Sequence, residues 1–202
     1  MFESTTCRTA DATVAGAAGQ QPGMTRRAAV GYLEDQCWAC TKTSACAENI
    51  VGLIEGGVCD NVVFTEYLAP ENPVGTWVTY NEVNAEVNGD AWLNEIVDAL
   101  KPYTETYPLY SKSTYSSFGN PDFKSLMARA GRIVITGVMS ECCVLATAID
   151  AIDTGTPVIY LTDACSGSTE EYEDMATAMM EFASPTHTAV TTCEEYTALR
   201  QA

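Results

Sequence analysis

The sequence predicts an α/β domain of the three-layer α/β/α, Rossmann-like kind, with a parallel sheet of about six strands and helices on both faces. Three observations carry that expectation. Short β-branched or apolar runs alternate along the chain with helical patterns. One run, RIVITGV at 132–138, is apolar almost throughout, as in a strand covered on both sides. The chain has 202 residues, 47% of them hydrophobic and 18% charged, enough for one domain with a full core.

Each element follows from its residues. Residues 1–25 are small, polar and rich in Gly, Ala and Thr, so they read as a flexible N-terminal arm, leaving 26–202 as the domain. RAAVGYLE (27–34) predicts the first strand. SACAENIVGLIEGG (44–57) repeats Ile50, Leu53 and Ile54 at helical spacing and closes on glycines. NVVFTEY (61–67) predicts a second strand, and the Pro-, Gly- and Asn-containing stretch 68–90 a long loop of functional character. AWLNEIVDALK (91–101) predicts a helix, and TYPLYS a short extended piece. NPDFKSLMARAG (120–131) has Pro in its first turn and Gly at its end, the asymmetry of a helix. After the strand 132–138 come a helix over 140–155, a strand over 156–164, a helix over 168–183 and a last strand over 187–192.

Charge and cysteine usage narrow the function. Ten basic residues against 27 acidic ones give a net charge of -17, a field that repels phosphate backbones and anionic lipid, so nucleic acid and membranes are excluded as partners. The first residues lack the basic and apolar regions of a signal peptide, and no run is long enough to span a membrane. The expected location is the cytoplasm, where the nine cysteines stay mostly reduced. Cys37, Cys40 and Cys46 lack the second cysteine pair or the histidines of a zinc site, since His187 is the only histidine. Neither glycine-rich phosphate loop is present, so no nucleotide cofactor is expected.

The junction after 132–138 carries the chemistry. In GVMSECCVLATAIDA, Ser140 is a good helix cap, and Cys143 then falls in the first helical turn, where the positive end of the helix dipole favours thiolate and free N–H groups can hold an oxyanion. That position is also at the carboxyl edge of the sheet, where ligands gather in such folds. Cys142 reads as core. The partners of a nucleophilic Cys143 are open from the residues alone: His187, Glu34-Asp35-Gln36 at the end of the expected first strand, or Lys112 in the Ser/Tyr-rich stretch YSKSTYSSF.

Four segments, AVGYLEDQ, VVFTEYLAPENP, YSKSTYSSF and GVMSECCVLATAIDAIDTGTPVIYLTDA, together resemble the isochorismatase-like cysteine hydrolases, over about 27–195. The resemblance implies Cys143 as nucleophile, Lys112 as the lysine of the triad and Glu34 as its acid, where the family has Asp; Asp35 is the neighbouring alternative. It implies an oxyanion hole from the backbone N–H groups of Met139 and Cys143, and a cis peptide at Val138–Met139. The family's metal-binding branch has an Asp-x-His…His pattern where this chain has TEYLAPENP, so no metal and no cofactor are expected. Because Cys143 is present, the implied reaction is hydrolysis of a C–N bond in an amide, carbamoyl or ureido group of a small molecule, by a protein that forms homo-oligomers. Two alternatives stand beside it: a catalytically impaired member acting as a binding or scaffolding subunit, with the Glu34 departure as its ground, and an isochorismatase-type ether hydrolase. Gln36, Tyr67, Trp77, Tyr115 and Phe118 are the expected substrate-binding residues.

Overall fold

The protein is described here from a computed structural model that covers residues 11–16, 31–34 and 36–202. Six strands, β1 (Asp11–Gly16), β2 (Asn61–Tyr67), β3 (Leu109–Lys112), β4 (Arg132–Val138), β5 (Val158–Ser166) and β6 (Thr188–Thr191), form one sheet in the order β3-β2-β1-β4-β5-β6. Every pairing is parallel. The helices are α1 (Thr43–Glu55), α2 (Thr76–Val83), α3 (Ala85–Gly89), α4 (Lys101–Thr104), α5 (Pro121–Met127), α6 (Leu145–Asp153), α7 (Glu170–Phe182) and α8 (Cys193–Gln201).

The strands are apolar on both faces because both faces are covered. Val62, Phe64, Val134 and Leu161 pack with Cys46, Ile50 and Leu53 of α1 and Tyr196 of α8. Their neighbours Val63, Ile133, Ile135 and Tyr160 point the other way, into a second core with Phe123 of α5, Ala148 of α6 and Met180 of α7. This is the α/β/α layering that the alternating pattern predicts. The chain builds β1, β2 and β3 outward and then returns to lay β4 against the other side of β1. The carboxyl ends of β1 and β4 flank that reversal, so the ligand crevice belongs there. Tyr67, Lys112, Val138 and Ser166 close β2, β3, β4 and β5 at this edge.

Several elements depart from the sequence expectation. Of the strand expected over 27–34, the described part, 31–34, lies in turns. Its backbone groups bond to loops: Gly31 N–H to Leu93 O at 2.9 Å, Trp38 N–H to Gly31 O at 2.7 Å and Cys40 N–H to Tyr32 O at 3.0 Å. The strand between β2 and β4 is Asp11–Gly16, within the stretch set apart as an arm. The expected loop 68–90 contains α2 and α3, entered through Gly75 at φ 59°. Asn81 and Asn84 donate back to the carbonyls of Trp77 and Tyr80, both at 2.8 Å, one helical turn earlier.

The helix expected over 91–101 is absent: residues 91–100 lie in turns and bends, and α4 begins only at Lys101. Asp90 Oδ1 accepts from the N–H groups of Trp92 (2.8 Å) and Leu93 (3.2 Å), and the Asn94 amide donates to Val87 O and Asp90 O, so side chains capture the backbone groups a helix would use. The last helix, α8, was not anticipated, although TTCEE carries its signature: Thr192 and Glu195 form a reciprocal capping box.

Candidate active site

The cysteine junction is not a regular α-helix start. The Val138–Met139 peptide is cis. Ser140–Val144 then forms one wide turn, in which Met139 O accepts from Cys142 N–H and, five residues on, from Val144 N–H, each at 3.1 Å; α6 follows at Leu145. Met139, not Ser140, is the cap residue, and no side chain caps the turn. Ser140 is fully buried instead.

Cys143 lines a cavity of about 220 Å³, its open mouth included, together with Thr65, Ser117, Ile135, Thr136, Val138, Val144 and Thr147. Hydroxyls bind this wall to the cysteine turn. Thr147 Oγ1 donates to Cys143 O at 2.7 Å and accepts from Ser117 N–H at 3.1 Å, while Ser117 Oγ donates to Thr65 Oγ1 at 3.1 Å.

Lys112 closes β3 opposite Tyr67 of β2 and is only 5% exposed. Its ammonium donates to Thr114 O at 3.1 Å and to Tyr115 O. A buried ammonium needs such acceptors. Its positive charge also acts on the Cys142 thiol: burial pushes that thiol up to about 11, Glu141 and Cys143 add to the rise, and Lys112 and a hydrogen bond with Tyr115 oppose it. The two cysteines and Lys112 therefore share one electrostatic neighbourhood.

Aromatic rings enclose the same neighbourhood. Tyr67 stacks on Trp77 with centroids 6.1 Å apart, Trp77 meets Tyr80 at 4.9 Å and Tyr115 at 5.0 Å, and Tyr80 meets Tyr115 at 6.0 Å. Tyr67 OH donates to Asn81 Oδ1 at 2.8 Å, which ties β2 to α2. Burial raises the phenols of Tyr67, Tyr80 and Tyr115, and the nearby Cys143 raises each further. Tyr32 is raised well above the ordinary range by burial, then by Cys143, Tyr80, Cys40 and Cys142, so it too belongs to this electrostatic neighbourhood.

Not every expected residue joins this group. The Glu34 carboxylate, exposed, accepts from Ser44 N–H at 2.8 Å and Ser44 Oγ at 2.9 Å in the first turn of α1. Asp35 lies outside the described residues. Gln36 N–H bonds to Leu33 O within the 31–43 segment. Phe118 is buried in the core, edge-on to Phe123 at 5.4 Å. Tyr80 and Tyr32 were missed from sequence. Tyr80 stands three residues after Trp77, a helical spacing inside a stretch that otherwise reads as loop, and Tyr32 sits in the stretch read as strand. Among the described residues no group of three His, Cys, Asp or Glu could hold a metal ion, and no helix is long and apolar enough to cross a membrane.

Comparison with known proteins agrees with this architecture. An isochorismatase-like hydrolase from Alkaliphilus metalliredigens superposes with a TM-score of 0.70 at 18% identity, covering 95% of this chain and 98% of the other. A cysteine hydrolase from Pseudomonas syringae pv. phaseolicola gives 0.73 at 16% identity, covering 95% and 92%. A pyrazinamidase/nicotinamidase from Streptococcus mutans gives 0.65 at 18%, covering 89% and 99%. Among curated proteins no sequence matches. The sequence model of the Isochorismatase domain matches residues 29–195, most of the chain, and the protein therefore belongs to the isochorismatase family of hydrolases.

Proposed function

We propose that this hydrolase cleaves a C–N bond in an amide, carbamoyl or ureido group of a small molecule by covalent cysteine catalysis. The observation that carries the reading is Cys143 opening on the cavity at the sheet's carboxyl edge, with the buried Lys112 ammonium in the same electrostatic neighbourhood.

The reaction runs in two halves. The Cys143 thiol gives its proton to the acid, Glu34, and Lys112 stabilises the thiolate. Sulfur attacks the carbonyl carbon, and the backbone N–H groups of Met139 and Cys143 hold the resulting oxyanion. The acid returns the proton to the leaving nitrogen, the C–N bond breaks, and ammonia or an amine departs, leaving a thioester. Glu34 then deprotonates water, hydroxide adds to the thioester, the C–S bond breaks and the thiol is reprotonated. Tyr67, Trp77, Tyr80 and Tyr115, in the same neighbourhood but outside the lining of the Cys143 cavity, contact the apolar part of the substrate. The protein acts in the cytoplasm as a homo-oligomer.

One observation favours a second reading. Glu34 caps Ser44, and a carboxylate held there does not serve Cys143 unless it swings away. The second reading is a catalytically impaired member that binds small molecules. A panel of small amides, ureides and maleamate, assayed for ammonia release, separates the two. The enzymatic reading expects turnover of at least one compound, abolished in Cys143→Ala and strongly reduced in Lys112→Ala. Binding without ammonia release, or release that survives Cys143→Ala, refutes it.

A further inference from the structure

A carboxylate outside the proposed triad organises the approach to Cys143. Glu173 lies on α7, is 9% exposed, and has no role in the steps above. Its Oε1 accepts from Thr41 Oγ1, from Ser166 Oγ at 3.1 Å and from Gly167 N–H at 2.8 Å. Its Oε2 forms an ion pair with Lys42 Nζ at 2.7 Å. Two backbone contacts reinforce the joint: Lys42 N–H to Ser166 Oγ and Thr41 N–H to Gly167 O, each at 3.0 Å. Four donors on one buried carboxylate thus fasten residues 41–42 to the end of β5 and the start of α7.

Both partners of this joint lead to the thiols. Upstream, Tyr32 O accepts from Cys40 N–H at 3.0 Å and Thr43 Oγ1 at 2.6 Å, which ties Tyr32 to the residues flanking the fastened end. Downstream, Glu141 of the cysteine turn accepts from Ser168 N–H at 3.0 Å and Ser168 Oγ at 2.5 Å, immediately beyond Gly167. Gly167 sits between the two glutamates: a methyl group there would lie 2.6 Å from Glu141 Oε2 and 2.9 Å from Glu173 Cγ. The cysteine turn and the 31–43 segment are held to the same three-residue stretch, 166–168.

We infer that Glu173 is a positioning residue, docking the 31–43 segment, with Tyr32 and Glu34, against the cysteine-bearing turn. This rests on the reading of Cys143 as nucleophile. Acting through Tyr32, Glu173 sets the exposure and proton exchange of the thiols without touching substrate.

The test compares Glu173→Gln, the conservative Glu173→Asp and Lys42→Met with the wild type, by amide hydrogen exchange and by iodoacetamide alkylation of each cysteine read by mass spectrometry. Glu173→Gln is expected to raise exchange across 31–43 and alkylation of Cys142 about tenfold each. It is also expected to alter the pH profile of Cys143 alkylation. Glu173→Asp is expected to recover most of both. If exchange rises while Cys143's pH profile and Cys142's rate stay at wild-type values, the joint is structural only and the inference is overturned, as it is if nothing changes. Should Glu173→Gln fail to fold, Lys42→Met, which removes only the ion pair, carries the same comparison. A wild-type Cys143 no more reactive than exposed Cys37 overturns the nucleophile reading instead; positioning is judged separately, by the variants' change relative to wild type.

Discussion

Gly167→Ala is a direct perturbation of the joint between the two glutamates. The added methyl would meet Glu141 Oε2 at 2.6 Å and Glu173 Cγ at 2.9 Å, where ordinary contact begins at about 3.4 Å. Neither neighbour retreats freely. Glu141 is held at Oε1 by both donors of Ser168, and Glu173 by Thr41, Ser166, Lys42 and the Gly167 N–H itself. Overpacking of a fixed site costs about 1–3 kcal/mol, and each hydrogen bond lost to a charged group adds about 1.5–3. With one such bond lost the sum is a loss of about 2.5–6 kcal/mol. Urea unfolding followed by tryptophan fluorescence reads it, and at about 2 kcal/mol per molar urea the midpoint falls by about 1–3 M. Gly52→Ala is the internal control: Gly52 is exposed in the interior of α1, nothing lies within 4 Å of the added carbon, and the expected change is a gain of about 0.5–1 kcal/mol. The reasoning is refuted if Gly167→Ala unfolds within about 0.5 kcal/mol of wild type, or if both substitutions change stability in the same direction.

Three further outcomes are expected. Burial alone would raise the Glu173 carboxyl, but Lys42, Thr41 and the Gly167 N–H outweigh it and hold it below the ordinary glutamate range. An acid with a depressed folded-state pKa contributes stability above its unfolded value and loses it as pH falls through the folded one, so Glu173→Gln should flatten the acid limb of stability measured below about pH 4.5. Cys142, pushed up to about 11, carries roughly a thousandth of its thiols as thiolate at pH 8, so it should alkylate at least about a hundredfold more slowly than a freely exposed thiol; equal rates would show that burial does not govern it. Phe123 is 0% exposed and meets Phe118 at 5.4 Å and Tyr110 at 5.9 Å, so Phe123→Ala should cost about 3–5 kcal/mol by chemical denaturation.

The β-branched runs 61–67 and 132–138 declare themselves because a strand covered on both faces must be apolar at every position, and the helices packed on them repeat at 3.6 residues. Those two periodicities carried the layering, the parallel sheet and the carboxyl-edge position of Cys143. Local side-chain competition was less legible. Asp90 and Asn94 dismantle a helix that periodicity alone supports over 91–101, because their bonds to the backbone depend on where Val87 comes to rest. Asn81 and Asn84 work the other way, reinforcing a helix inside an apparent loop.

Sequence by itself determined where a thiol and a cation stand along the chain, a cysteine after the best strand and a lysine at the end of a short one, because these are chemical identities that no packing can supply. Only the tertiary structure decided what those groups meet. It set Lys112 on two backbone carbonyls, gathered aromatic rings from distant segments near the cysteines, gave Glu34 to Ser44, and fastened residues 41–42 and Glu141 to one three-residue stretch, 166–168. The physical reason is range: a helical or strand period couples residues a few positions apart, whereas a buried charge selects its partners across the whole chain, once the sheet has brought its strand ends to one edge.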